Sequence, residues 1–156
     1  MDVGRGALHG VSAETISNVI EEGRPARVVQ RLLDGIAAGP TPELADLYDI
    51  DAVVELPFAG DGGLRLEGRA AIREHFARAA RAPMELLPVE ITLHQTVDPE
   101  LVVAEYQYEG KATVTGRSFV VSNVQIVRVR GGRIITSRDF HDHAAMAAAM
   151  DGGVTA

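Results

Sequence analysis

Arg117-Ser118-Phe119-Val120-Val121-Ser122-Asn123-Val124-Gln125-Ile126-Val127-Arg128-Val129-Arg130, then Gly131-Gly132, then Arg133-Ile134-Ile135-Thr136-Ser137-Arg138-Asp139-Phe140-His141-Asp142, is the stretch that decides the fold. Two runs rich in β-branched residues flank a Gly-Gly pair, the composition of two strands joined by a tight hairpin turn. Alternation in the first run puts Val121, Asn123, Gln125 and Val127 on one face, and Val124, Ile126, Arg128 and Arg130 on the other. In the second run Ser137, Asp139 and His141 share a face, opposite Arg138, Phe140 and Asp142. On a concave, closed face the carboxylate and imidazole form a candidate acid/base pair. Facing water, the same residues are a solvated strand end.

Upstream, residues 89–97 and 101–113 read as further long strands, with Asp98-Pro99-Glu100 as a turn between them. Strands of this length joined by short turns imply a curved antiparallel sheet. The first half of the chain is helical. Ile16, Val19 and Ile20 predict a short helix between Ser12 and Gly23. Pro25 opens a second helix, whose stripe of Val28, Val29, Leu32, Leu33 and Ile36 ends at Gly39-Pro40. Thr41-Pro42-Glu43 predicts a third helix with Thr41 as its cap and Leu44, Leu47 and Tyr48 inside. Residues 52–58 form a short strand and Gly60-Asp61-Gly62-Gly63 a turn. A helix after Gly68 runs to about Arg81 with Ile72, Phe76 and Ala79 inward, and residues 143–150 form a last helix. Helices before strands predict an α+β fold with the helices covering one sheet face. The organisation expected is an N-terminal extension with a short helix over 1–24, one domain over 25–150 and a flexible tail over 151–156.

Composition narrows the class. A chain of 156 residues, 46% hydrophobic, is large enough for one well-packed core. A net charge of −7 gives no footprint for nucleic acid or an anionic membrane. There is no cysteine, so no disulfide contributes, which fits a cytoplasmic location. Residues 1–10 hold no apolar signal core and no apolar run is long enough to span a bilayer.

A bent sheet with helices over its hollow side predicts a cone with an apolar cavity, of the several hundred Å3 usual for ligand sites (roughly 300–1,000 Å3). Buried Asn123 and Gln125 need partners, which a ligand or an internal network supplies. Tyr106 and Tyr108 share a face of the adjoining strand, where their hydroxyls hold a developing oxyanion or simply complete the core. Val53, Leu56, Phe58 and Phe76 are expected to shape the cavity. Glu55 points inward or sits outside in an ion pair, and His75 looks into the cavity or is a core histidine. Asp139, His141 and His143 form D-x-H-x-H, but His143 starts the last helix and is expected to turn away, so no metal site is predicted. Neither glycine-rich turn has phosphate-loop spacing, no nucleophile motif occurs, and no cofactor is predicted.

Three segments carry a family resemblance: Leu47-Tyr48-Asp49-Ile50-Asp51-Ala52-Val53-Val54-Glu55-Leu56-Pro57, Leu66-Glu67-Gly68-Arg69-Ala70-Ala71-Ile72-Arg73-Glu74-His75-Phe76, and Gly132-Arg133-Ile134-Ile135-Thr136-Ser137-Arg138-Asp139-Phe140. With the order of elements, they resemble the NTF2-like superfamily, also called SnoaL-like or ketosteroid-isomerase-like. The resemblance implies a homodimer packed through the sheet, a small hydrophobic ligand, and isomerase, cyclase, dehydratase or epoxide-opening chemistry. A non-catalytic binding or dimerisation module of the same fold is the alternative. The catalytic base and tyrosine positions of ketosteroid isomerases fall here on Leu56 and Leu32, and the protonated acid near Asn123 or Gln125, which speaks against that chemistry. The arginine and second aspartate of limonene-epoxide-hydrolase-like members fall on Tyr106 and Tyr108, and their water-holding asparagine on Glu55. Asp139 matches an acidic position in several subfamilies, which makes it the proton carrier, with His141 assisting and Tyr106 or Tyr108 holding the oxyanion.

Overall fold

The computed structural model describes residues 23–151. The helix predicted around Ile16, Val19 and Ile20 and the tail beyond Asp151 lie outside the described residues. Helix α1 (Pro25–Ala37) begins with proline in its first turn, where the missing N–H costs nothing, and buries Val28, Val29, Leu32 and Leu33 completely. Each such side chain withdrawn from water contributes about 1.5–3 kcal/mol.

The third predicted helix is a 3-10 helix, Pro42–Leu47, and Thr41 makes no side-chain cap bond. Strand β1 (Tyr48–Leu56) already begins at Tyr48, four residues before the predicted start, so only six residues lie between Thr41 and the sheet. A short β2 (Leu64–Glu67), absent from the sequence reading, returns along β1. Helix α2 (Arg69–Arg81) turns Ile72 and Phe76 into the core. Then come β3 (Met84–Gln95), β4 (Leu101–Ala112), β5 (Ser118–Arg130), β6 (Arg133–His141) and helix α3 (His143–Met150).

The strands form one six-stranded sheet in the order β2-β1-β6-β5-β4-β3. It is mixed rather than wholly antiparallel. Strand β1 lies parallel to β6, with Val54 opposite Ser137, and every other pairing is antiparallel. The parallel contact is possible because the whole α2–β5 segment serves as the long connection that such a pair requires. Gly131 and Gly132 both have positive φ (59° and 76°), which makes the β5–β6 turn the expected two-residue hairpin.

Two bulges bend the sheet. In β3 an extra residue sits between Val89 and Thr92, where Glu90 adopts φ 51°. In β6 the register against β5 slips between Ile134 and Thr136, so Ile134 and Ser137, three residues apart, both face inward. Bulges of this kind increase local twist and curve a strand. Helices α1 and α2 cover the hollow side, and the core lies between them and the sheet. None of the described helices is long and apolar enough to cross a membrane.

Candidate active site

Register across the hollow face builds a polar patch in rows. Tyr106, Asn123 and His141 face each other across β4, β5 and β6; the next row is Ala104, Gln125 and Asp139; the next is Val102, Val127 and Ser137, continued by Val54 of β1. All of these side chains are buried. Ala104 is the small member of its row.

A cavity of about 170 Å3 lies over this patch. Its apolar walls include Leu32 and Ile36 of α1, Val54 and Leu56 of β1, Leu66 of β2, Ile72 and Phe76 of α2 and Met146 of α3. Its polar wall is Tyr48, Tyr108, Gln125, Asp139, His141, His75 and His143. The chamber is smaller than the sequence reading expected, because leucines 32 and 56 and Met146 project into the cone. Ile36, Pro40, Ala79 and Leu86 line both this cavity and an adjoining open groove of about 910 Å3.

Asp139 sits at the floor of the cavity, and Ser137 donates its hydroxyl to Oδ1 through a short hydrogen bond. Burial raises its pKa to about 6, against the partial opposition of the Ser137 and Gln125 side chains, whose hydrogen bonds favour the charged form. His141 is driven the other way: burial, with the neighbouring His143 and His75 adding repulsion, lowers it to about 4. It is therefore a neutral imidazole at neutral pH. Its Nδ1 lies 2.8 Å from Asn123 Oδ1, while the Asn123 amide donates to the Val121 carbonyl at 3.4 Å. The carbonyl oxygen of Asn123 accepts, so the His141 proton resides on Nδ1 and Nε2 keeps its lone pair.

Burial also raises Tyr108 to about 12 and pushes Tyr48 and Tyr106 well above the usual tyrosine range, so all three phenols keep their protons and act as donors. His75 and His143 are lowered, chiefly by burial. Tyr106 Oη, Gln125 Oε1 and His143 Nε2 are buried here without a hydrogen-bond partner of regular geometry among the described residues. Among the described residues no three His, Asp or Glu side chains are arranged to hold a metal.

The sequence-predicted residues separate into two groups. Asp139, His141, Tyr108, Gln125, Leu56, His75 and Phe76 line the cavity. Val53, Glu55 and Phe58 do not. The inward parity of β1 runs through Ala52, Val54 and Leu56, so Val53 and Glu55 point outward, and Glu55 pairs with Arg65 at 3.2 Å. Phe58 lies beyond the end of β1, is 63% exposed and packs edge-on to Phe140 on the outer face. Tyr106 is buried beside Tyr108 and Asn123 stands behind His141; neither is among the lining residues. His143 does open α3, yet it faces the cavity instead of turning away, its ring 5.6 Å from that of His141. Tyr48, Ser137 and His143 were missed as cavity-side residues. Each had a signal: Tyr48 in its inward place, Ser137 in its shared face with Asp139, and His143 in the D-x-H-x-H spacing.

A family model for the SnoaL-like domain matches residues 29–137, and the chain belongs to that family. An uncharacterized PhzA/B-like protein of Pseudomonas aeruginosa is 33% identical over 103 residues, covering 61% of this chain and 67% of its own. A Bacillus subtilis protein provisionally assigned as an isomerase has a similar structure, with TM-score 0.76 and 25% identity, covering 86% of this chain and 96% of its own. A Pseudomonas putida protein provisionally assigned as a polyketide cyclase gives TM-score 0.68 at 16% identity, covering 79% and 95%, a likeness of fold alone. The α+β cone is thus the NTF2-like fold of these relatives.

Proposed function

We propose that the chain is an acid/base enzyme of isomerase or cyclase type that moves a proton on a small hydrophobic metabolite, without a cofactor. The observation that carries this reading is Asp139: a carboxyl buried at the wall of an apolar cavity, with its pKa lifted to about 6. A carboxylate tuned toward neutrality takes a proton from carbon or oxygen and returns it at another atom without a large free-energy mismatch. Ser137 and Gln125 hold the charged form in place. Tyr108, which stays protonated, donates to an oxygen that gains charge. Neutral His141 takes or relays a proton through Nε2 only transiently, because its low pKa makes it a weak base. Leu32 and Leu56 keep water away from Asp139. The match to the SnoaL-like domain and the likeness to a protein provisionally assigned as an isomerase support the reaction class.

The same proposal includes a homodimer formed through the outer face of the sheet, where Val103, Val124 and Ile126 are only half-buried and Val120 is exposed. The test begins with mass spectrometry of small molecules that co-purify with the native protein, followed by turnover of the identified compound. Asp139→Asn, nearly the same shape, is expected to lower kcat by roughly a hundredfold or more while the ligand still binds. Wild-type turnover by that variant removes Asp139 from the chemistry.

A further inference from the structure

The polar wall of the cavity is unbalanced in its hydrogen bonding, and the imbalance defines what enters. Gln125 Oε1 is an acceptor, in a residue only 3% exposed that lines the cavity, and it has no hydrogen-bond partner among the described residues. Buried carbonyl oxygens are rarely left so, because an unmet one forfeits the hydrogen bond that water gave it. His141 Nε2 is a second acceptor, because Asn123 fixes the ring proton on Nδ1. The Asp139 carboxylate is a third. Among the described residues no Lys or Arg lines the cavity, so an anion entering would face Asp139 with no counter-charge. A cation would have to leave water for apolar walls and a single opposite charge, Asp139, which burial itself disfavours, so the surroundings disfavour a cation as well.

Size sets the other limit. A cavity of roughly 150 Å3 lined by leucine, isoleucine and phenylalanine takes up benzene, and this chamber is about 170 Å3. From the orphaned Gln125 oxygen, the fixed His141 tautomer and this volume, we infer that the part of the substrate reaching Asp139 is one uncharged, ring-sized unit that donates a hydrogen bond, a hydroxyl-bearing ring rather than a carboxylate or an amine. Larger substrates are accommodated only by leaving their remainder in the adjoining groove along Ile36, Ala79 and Leu86. Asn123 is then a positioning residue. It touches no substrate and acts by deciding which nitrogen of His141 carries the proton. The inference rests on the cavity being the substrate site, as proposed above.

The experiment compares probes of one ring by calorimetry at about pH 7.5, where Asp139 is ionised: phenol, anisole, benzoate and benzylammonium. Phenol and anisole have nearly the same size but only phenol donates. Phenol is expected to bind about tenfold more tightly than anisole, the difference that one unmet buried acceptor makes, and both ions more weakly than phenol. Asn123→Leu frees the His141 tautomer and is expected to erase most of that preference; Asn123→Asp, which still accepts from Nδ1–H, is expected to retain it. Nitrogen chemical shifts of His141 report the tautomer in each variant independently of binding. Equal affinity for phenol and anisole, or tighter binding of either ion, overturns the inference while leaving the cavity a ligand site. Binding of no probe overturns both, and retained turnover in Asp139→Asn overturns the catalytic reading alone.

Discussion

Gln125 and Asp139 stand directly opposite each other across β5 and β6, both buried and both at the cavity wall, with Ser137 completing the contact from two residues along the same strand. The carboxylate is thus held from two sides while burial opposes its charge. One row along, Asn123 and His141 are paired in the same way. Two adjacent rows of one hairpin carry an acid made weaker and a base made weaker, and this opposition has thermodynamic consequences.

Asp139 keeps its proton in the folded protein to about pH 6, whereas an unfolded aspartate loses it near 3.8. Folded protein therefore holds the extra proton between those values, and stability falls as pH rises through the window. His141 ionises only near pH 4 when folded, against 6.5 unfolded, so here the unfolded chain holds the extra proton and stability rises with pH from 4 to 6.5. Each effect is roughly 3 kcal/mol. His75 and His143, also held neutral, add to the rising side. Wild type should show a shallow profile between pH 4 and 6 in urea unfolding. Asp139→Asn should expose a clear rise with pH and greater stability than wild type above pH 6. His141→Gln should flatten the profile or tilt it downward.

Gly68 precedes α2 with φ 87° and ψ 154°, a backbone region in which almost only glycine is comfortable, and its N–H donates to the Ala52 carbonyl at 2.8 Å. Gly68→Ala is expected to destabilise the fold by about 1–3 kcal/mol, seen as a lower denaturation midpoint. An unchanged midpoint would mean that the β2–α2 junction relaxes freely.

Much of the fold could be read from period and punctuation. Residues 101–112, 121–129 and 137–141 alternate cleanly because their strands bury one face only, and Gly131-Gly132 admits little but a hairpin. The α1 stripe is equally plain. What the sequence concealed were features set by long-range pairing: β2, the parallel β1–β6 contact, and the early start of β1, whose Tyr48-Asp49-Ile50-Asp51 stretch alternates poorly because it lies beside an irregular register. The site was legible where alternation holds. Asp139, His141 and Gln125 share the inward parity of their strands. Val53 was misplaced by one residue, which on a strand exchanges inside for outside. His143 was missed because a helix start shows no face until the rest of the helix has docked.

The Asp142 carboxylate caps α3 by accepting from the Ala145 N–H at 3.0 Å. Asp142→Ala is expected to cost about 1 kcal/mol and to loosen the helix that brings His143 and Met146 to the cavity. Hydrogen exchange should quicken in residues 143–150 with little change in β5.

Leu56 fills one side of the chamber from β1. Leu56→Ala should lower stability by about 2–5 kcal/mol and allow bulkier rings to bind beside Asp139. If affinity for larger rings is unaltered, access and not wall shape limits the chamber.

Because β1 must lie between β2 and β6, it holds an open, adhesive strand border until β6 has left the ribosome. Val54 meets Ser137 only after the whole of β2 to β5 has been made. A nascent chain stalled before Arg133 would therefore present that bare border to chaperones or to its own copies.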